Sequence, residues 1–124
     1  MYTEGDKNKI SVDGSYLVIN GKKILFVSEK APEKLPWKSL AIDIVMECTG
    51  FFTKREDAEK HILAGAKTVV ISGPTSSKDT PTVVHGVNTE DGKVSIFSCG
   101  SCTTNNIGVI IEILGRRIGI KRRF

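Results

Sequence analysis

The chemistry of this chain concentrates in the stretch SCGSCTTNNIG, residues 98–108. Two cysteines, Cys99 and Cys102, are separated by two residues at the end of an apolar run. The run VSIFS (94–98) reads as a strand. Beyond it Ile107, Ile110, Ile111, Leu114 and Ile118 repeat at the spacing of one helical face. Cys102 is thus expected at a strand-to-helix junction. A helix N-terminus leaves N–H groups unpaired and carries partial positive charge. Both favour a thiolate, because a cysteine pKa falls below its free value of ~8.5 in such places. A thiolate attacks an aldehyde carbon or a thioester, and the same N–H groups steady the oxyanion that results. Ser101, Thr103 and Thr104 add short hydroxyl donors, which suit phosphate. The bland alternative is a buried, inert cysteine.

Two other chemistries compete for these residues. Cys99-Gly100-Ser101-Cys102 is a C-x-x-C at a helix start, the layout of dithiol redox sites. The hairpins and the strand–helix–strand unit upstream are not a thioredoxin order. Zinc needs about four ligands. Cys48, Cys99, Cys102 and either His61 or His85 supply them on paper, but no second C-x-x-C or paired histidine motif accompanies them, so no metal site is expected. His61, in a helical pattern beside Leu63, reads as an exposed or packed residue. His85 follows a strand pattern and reads likewise. Cys48 reads as a packing residue at a strand end.

The elements that position this stretch follow from pattern. Ile10–Val12, Tyr16–Ile19 and Lys23–Val27 read as antiparallel strands joined at Asp13-Gly14 and Asn20-Gly21, both signals for type I′ turns. Pro32 and Pro36 break the connection that follows. IDIVM (42–46) suits a buried strand. Thr53 with Glu56 forms a capping box for a helix whose apolar face holds Ala58, Ile62 and Leu63, with Glu56 and Asp57 as an acidic first turn. Gly65 is the expected stop. TVVI (68–71) is the next strand, completing a βαβ unit. TVVHGV (82–87) and VSIFS read as two more, around Asp91-Gly92. The fold class is therefore α/β, a partial Rossmann-like doubly wound sheet. It is mainly parallel, with an N-terminal antiparallel hairpin region. Ligands of such sheets sit beyond the carboxyl ends of the strands. CTGFF, SGP and SCGSC each follow a strand and fall on that edge.

Composition narrows the partners. The 124 residues are 40% hydrophobic and 26% charged, a soluble globular balance, with a net charge of +4. The basic cluster Arg116, Arg117, Lys121, Arg122 and Arg123 lacks interleaved aromatics and any nucleic-acid motif, so nucleic acid is not expected as a partner. No apolar run approaches the roughly 20 residues of a membrane span. The polar start MYTEGDKNK has no signal-peptide core. Three cysteines, an odd number, argue against a disulfide framework and for a cytoplasmic home.

The pentapeptide SCTTN (101–105) resembles the signature of the phosphorylating glyceraldehyde-3-phosphate dehydrogenases. SVDGSYLVINGKKI (11–24), LPWKSLAIDIVMECTGFFTKREDAEKHILAGAKTVVISGP (35–74) and HGVN (85–88) are similar to successive blocks of that family, in its order. The resemblance implies an NAD-dependent oxidation of a phosphorylated aldehyde, a step of glycolysis, with NADP left open. Cys102 would carry the hemithioacetal and then the thioester. Ser101 and Thr103 would bind substrate or inorganic phosphate. Thr49, Gly50, Phe52 and Ser72 would line the NAD site, with Lys30 near the adenosine half. It also implies a division into a partial NAD-binding domain (1–101) and the start of a catalytic domain (102–124).

Some family features are not found. No three glycines satisfy G-x-G-x-x-G, and the histidine base, the substrate arginine and the nicotinamide-binding asparagine have no counterpart. The chain reads as an internal fragment. As such it is expected to be a poor dehydrogenase, and the family's homotetramer is not carried over to it. Cys99 stands where the family usually has asparagine, which keeps the dithiol reading and a non-enzymatic assembly role as alternatives.

Overall fold

The computed structural model describes residues 9–90 and 92–120. Asp91 and the basic residues Lys121, Arg122 and Arg123 lie outside the described residues, as does the start of the chain to Asn8. The chain forms two compact units that divide between Ala31 and Pro32.

The first unit is an antiparallel meander of β1 (Ile10–Asp13), β2 (Tyr16–Ile19) and β3 (Lys22–Leu25). The second turn is the expected one: Asn20 and Gly21 have φ of +50° and +82°, as a type I′ turn needs. The first turn differs. Asp13 pairs with Tyr16, so the loop residues are Gly14 and Ser15, and only Gly14 (φ +57°) is left-handed. Asp13 stays in the strand, where its carboxylate takes the Lys23 ammonium at 2.7 Å. β3 ends at Leu25, two residues short of the expected run.

The second unit holds a parallel sheet in the order β4 (Ile44–Glu47), β5 (Thr68–Ile71), β6 (Ile96–Ser98). Its register sets Val45, Val69 and Ile96 side by side, and likewise Glu47, Ile71 and Ser98. Helix α1 (Arg55–Leu63) crosses from β4 to β5. The core is Val45, Ala58, Ala66, Val69, Ile71 and Ile96, with Trp37, Ile42 and Ile62 against it. Full burial of side chains such as Ile71 and Ile96 stabilises the unit by roughly 1.5–3 kcal/mol each.

Several expectations are corrected here. β4 is an edge strand and alternates, with Ile44 and Met46 exposed and Val45 and Glu47 buried, so it is not buried on both faces. No capping box forms. The cap of α1 is Lys54, without a side-chain bond, and the Arg55 N–H is taken by Ser77 Oγ at 3.0 Å. The loop 75–80 therefore satisfies the helix end that Thr53 was expected to serve. Leu63 is 79% exposed, and the helix buries Ala58 and His61 instead. At 100° per residue Leu63 points about 140° away from Ala58. Cys48 is exposed rather than packed.

Gly65 ends α1 as expected. With φ of +108° it donates to the Ile62 carbonyl while Ala66 donates to that of His61, a Schellman arrangement.

Residues 82–87 are not a strand. Only Thr82 bridges to Ser98. The side chain of Asn88 folds the segment back, accepting from Val84 N–H at 2.7 Å and donating to the Thr82 carbonyl at 2.8 Å. Gly86 (φ +79°) completes the turn, and it leaves His85 exposed. A local side-chain closure has displaced the ladder.

Helix α2 (Cys102–Arg117) forms as the spacing predicts. Its Gly108 admits Val84 and Val87 of that turn: an added Cβ would lie 3.7 Å from Val87 Cγ2. No residue of α2 is buried, and Ile107, Ile110, Ile111 and Leu114 remain exposed.

Candidate active site

The parallel register decides what stands together. Glu47, Ile71 and Ser98 are neighbours at the carboxyl ends of β4, β5 and β6. The segments that follow them, Cys48–Phe52, Ser72–Gly73 and Cys99–Thr103, therefore emerge on one edge of one sheet. Main-chain bonds tie them: Ser72 N–H donates to the Glu47 carbonyl at 3.0 Å and Cys99 N–H to the Ile71 carbonyl at 2.9 Å. Lys30 lies exposed in the other compact unit, after β3.

Cys102 is the first residue of α2 and is exposed. Ser101 caps the helix, its Oγ accepting from Thr104 N–H at 3.0 Å and sharing a bond with Thr104 Oγ1 at 2.9 Å. Asn105 Nδ2 braces the turn below, donating to the carbonyls of Cys99 and Ser101 at 2.8 Å each. Among the described residues the N–H groups of Cys102 and Thr103 have no chain partner, as the first turn of a helix dictates. Thr103 is exposed beside them. An exposed sulfur with two unpaired N–H groups is the arrangement that nucleophilic attack and oxyanion stabilisation require.

Ser98 links two of the segments. It is fully buried; its hydroxyl donates to the Gly73 carbonyl at 2.7 Å and accepts from Gly100 N–H at 2.9 Å. The third segment is held by Glu47, whose carboxylate accepts from Thr49 N–H at 2.8 Å and from the Thr49 hydroxyl. The Thr49 hydroxyl oxygen then accepts from Phe51 N–H at 3.1 Å. On its other oxygen Glu47 meets His61 Nε2 at 2.8 Å, and His61 Nδ1 accepts from the Trp37 indole at 3.0 Å. Phe52 is half-buried and stands perpendicular to the same imidazole. Gly50 turns the chain outward at φ +77°, and an added Cβ there would meet nothing within 4 Å. The turn thus has open room on its outer side, which fits a ligand laid across the sheet edge.

Sequence reasoning missed Glu47, Ser98, Asn105 and the Trp37–His61 bond. One signal was present: Glu47 sits two residues after Val45, on the inward side of its strand, where an acid needs partners. Both His61 nitrogens are engaged, which removes it from the zinc set. Among the described residues no three of His, Cys, Asp or Glu are grouped to hold a metal, and no helix is long and apolar enough to cross a membrane.

Known proteins match this sequence. The family model described as "Glyceraldehyde 3-phosphate dehydrogenase, NAD binding domain" matches residues 3–55. The glyceraldehyde-3-phosphate dehydrogenase of Clostridium acetobutylicum is 48% identical over 118 residues, covering 94% of this chain and 35% of that protein. Glyceraldehyde-3-phosphate dehydrogenase 1 of Bacillus subtilis is 46% identical over 117 residues, 92% of this chain and 35% of its own length. The Thermotoga maritima enzyme is 45% identical over 114 residues, 90% and 34%. The chain is thus similar to the glyceraldehyde-3-phosphate dehydrogenases along most of its own length and spans about 35% of the length of the relatives it matches.

Proposed function

We propose that this chain carries the thiol and part of the cofactor edge of an NAD-dependent, phosphorylating aldehyde dehydrogenase acting on glyceraldehyde 3-phosphate. Cys102 attacks the aldehyde carbon through Sγ, and the N–H groups of Cys102 and Thr103 steady the oxygen of the hemithioacetal. NAD, when bound, would supply the hydride acceptor that oxidation of such an adduct to a thioester requires. Inorganic phosphate then attacks the thioester carbon, the C–S bond breaks, and the acyl phosphate leaves with the thiolate restored. Ser101 and Thr103 offer hydroxyls to the phosphate groups. Thr49, Gly50, Phe52 and Ser72 line the cofactor edge; Lys30, in the first unit, is assigned to the adenosine half by the family resemblance alone. Residues 1–101 serve NAD and 102–124 open the catalytic part. Three free cysteines suit a reducing, cytoplasmic compartment.

The observation that carries this reading is the exposed Cys102 at the first position of α2, on the same sheet edge as the Thr49 and Ser72 segments. His61 is committed on both nitrogens and is not available to Cys102 as a base. NADH formation by the chain alone is expected to be slow. Acyl transfer needs no hydride step and tests the thiol directly. The chain is mixed with the acyl phosphate of 3-phosphoglycerate and its intact mass recorded. One phosphoglyceroyl adduct at Cys102, absent in Cys102→Ser, is the expected result. No adduct, or an adduct at Cys48 alone, overturns the reading.

A further inference from the structure

We propose that Glu47 is a positioning residue for the 49–52 turn, held in its working orientation by a relay from Trp37 through His61. The inference rests on the reading of that turn as part of the cofactor edge.

The relay has a single consistent proton arrangement. An indole N–H only donates, so His61 Nδ1 must be bare where Trp37 meets it at 3.0 Å. The neutral ring then carries its proton on Nε2 and donates it to Glu47 at 2.8 Å. Glu47 is 3% exposed and His61 4%, so water does not substitute for these partners. A carboxylate accepts only. Its remaining oxygen takes both the N–H and the hydroxyl of Thr49, and the Thr49 oxygen is thereby turned to receive Phe51 N–H. Phe52, at the far end of the turn, packs perpendicular to the same imidazole, with ring centroids 6.4 Å apart. The two ends of the turn are thus referenced to one buried ring. The Glu47 carbonyl also receives Ser72 N–H, which ties the neighbouring segment to the same residue.

One consequence is specific. The Thr49 hydroxyl is spent inside the chain as a strut, so the turn faces a ligand with its backbone and with open space at Gly50. Glutamine is isosteric with glutamate but cannot replace it. If its oxygen faces Thr49, its amide opposes the Nε2 proton of His61. If its oxygen faces His61, its amide opposes the donors of Thr49. The ring cannot exchange its proton to Nδ1 without opposing Trp37.

The test uses the full chain labelled with nitrogen-15. The imidazole spectrum of His61 should show a protonated Nε2 and a bare Nδ1; the opposite tautomer overturns the relay. Glu47→Gln should speed amide exchange at Thr49 and Phe51 about tenfold or more, with Val69 and Ile71 still protected. Thr49→Val, at an exposed position, should speed exchange at Phe51 similarly, and Thr49→Ser should match the unaltered chain. If Glu47→Gln fails to fold, Thr49→Val decides. Unchanged Phe51 exchange in Thr49→Val overturns the proposal. An NAD titration of the same samples is a separate arm. No uptake by the unaltered chain defeats the cofactor reading, while the exchange data still decide the role of Glu47. Uptake weakened in Glu47→Gln and Thr49→Val but kept in Thr49→Ser supports both.

Discussion

Gly65 and Lys38 are in backbone contact: a Cβ on Gly65 would fall 2.5 Å from Lys38 Cβ and 2.7 Å from its Cα. The same approach lets Lys38 N–H donate to the Ala64 carbonyl at 3.0 Å. Position 65 is thus restricted twice, by its φ of +108° and by space. Gly65→Ala is expected to cost about 2–4 kcal/mol, more than the backbone conformation alone. Urea denaturation checks this, and a loss below about 1 kcal/mol means that Lys38 moves aside.

Ser98→Ala removes the one side chain that bonds both the Gly73 carbonyl and the Gly100 N–H. The Gly100 N–H is left in a buried place and the Gly73 carbonyl in a half-buried one. The expected loss is about 1–3 kcal/mol, with faster amide exchange at Gly100. A neutral outcome in urea means that water or a shifted loop satisfies them.

Ser101 caps α2 through its hydroxyl. Ser101→Ala should destabilise the helix by about 1 kcal/mol, and Ser101→Asp should keep the cap. Helicity by circular dichroism and the alkylation rate of Cys102 are the two measurements. Equal behaviour of the alanine and aspartate variants contradicts the capping role.

Two lysines, Lys60 half-buried and Lys67 exposed, carry the pH dependence that geometry supports. Hydrogen bonds to Asp57 and Asp43 raise Lys60 and Lys67 above the ordinary lysine value of 10.5. A raised folded value means that the contribution is fully present below 10.5 and lost as pH rises through the raised values. The stability gap between the unaltered chain and a Lys60→Met, Lys67→Met double variant should therefore be constant at neutral pH and narrow only in strong alkali. A gap that closes at neutral pH contradicts this.

The sequence disclosed the elements whose signals are local. Asn20-Gly21, Gly65 and the periodicity of α2 each act within a few residues, and each appears where expected. The placement of Cys102 at a strand-to-helix junction was legible for the same reason. What stayed hidden depends on partners far along the chain. The start of α1 is satisfied by Ser77, 22 residues from Arg55, and no local pattern announces that. The turn at 82–87 carries a strand's composition but is overruled by one side chain, Asn88. Glu47 and His61 are 14 residues apart, and their meeting depends on α1 laying its buried face over the sheet. The family resemblance supplied site roles that pattern alone did not, yet it gave no hint of the Trp37 relay.

The bond between Trp37 and His61 has an optical corollary. The chain has one tryptophan, and it lies in the unit that begins at Pro32. Indole emission accordingly monitors that unit alone, whereas Tyr16, on β2, belongs to the antiparallel meander. Exciting at the red edge of the indole band, where tyrosine does not absorb, therefore follows the melting of that unit by itself in a single cuvette, without any added label.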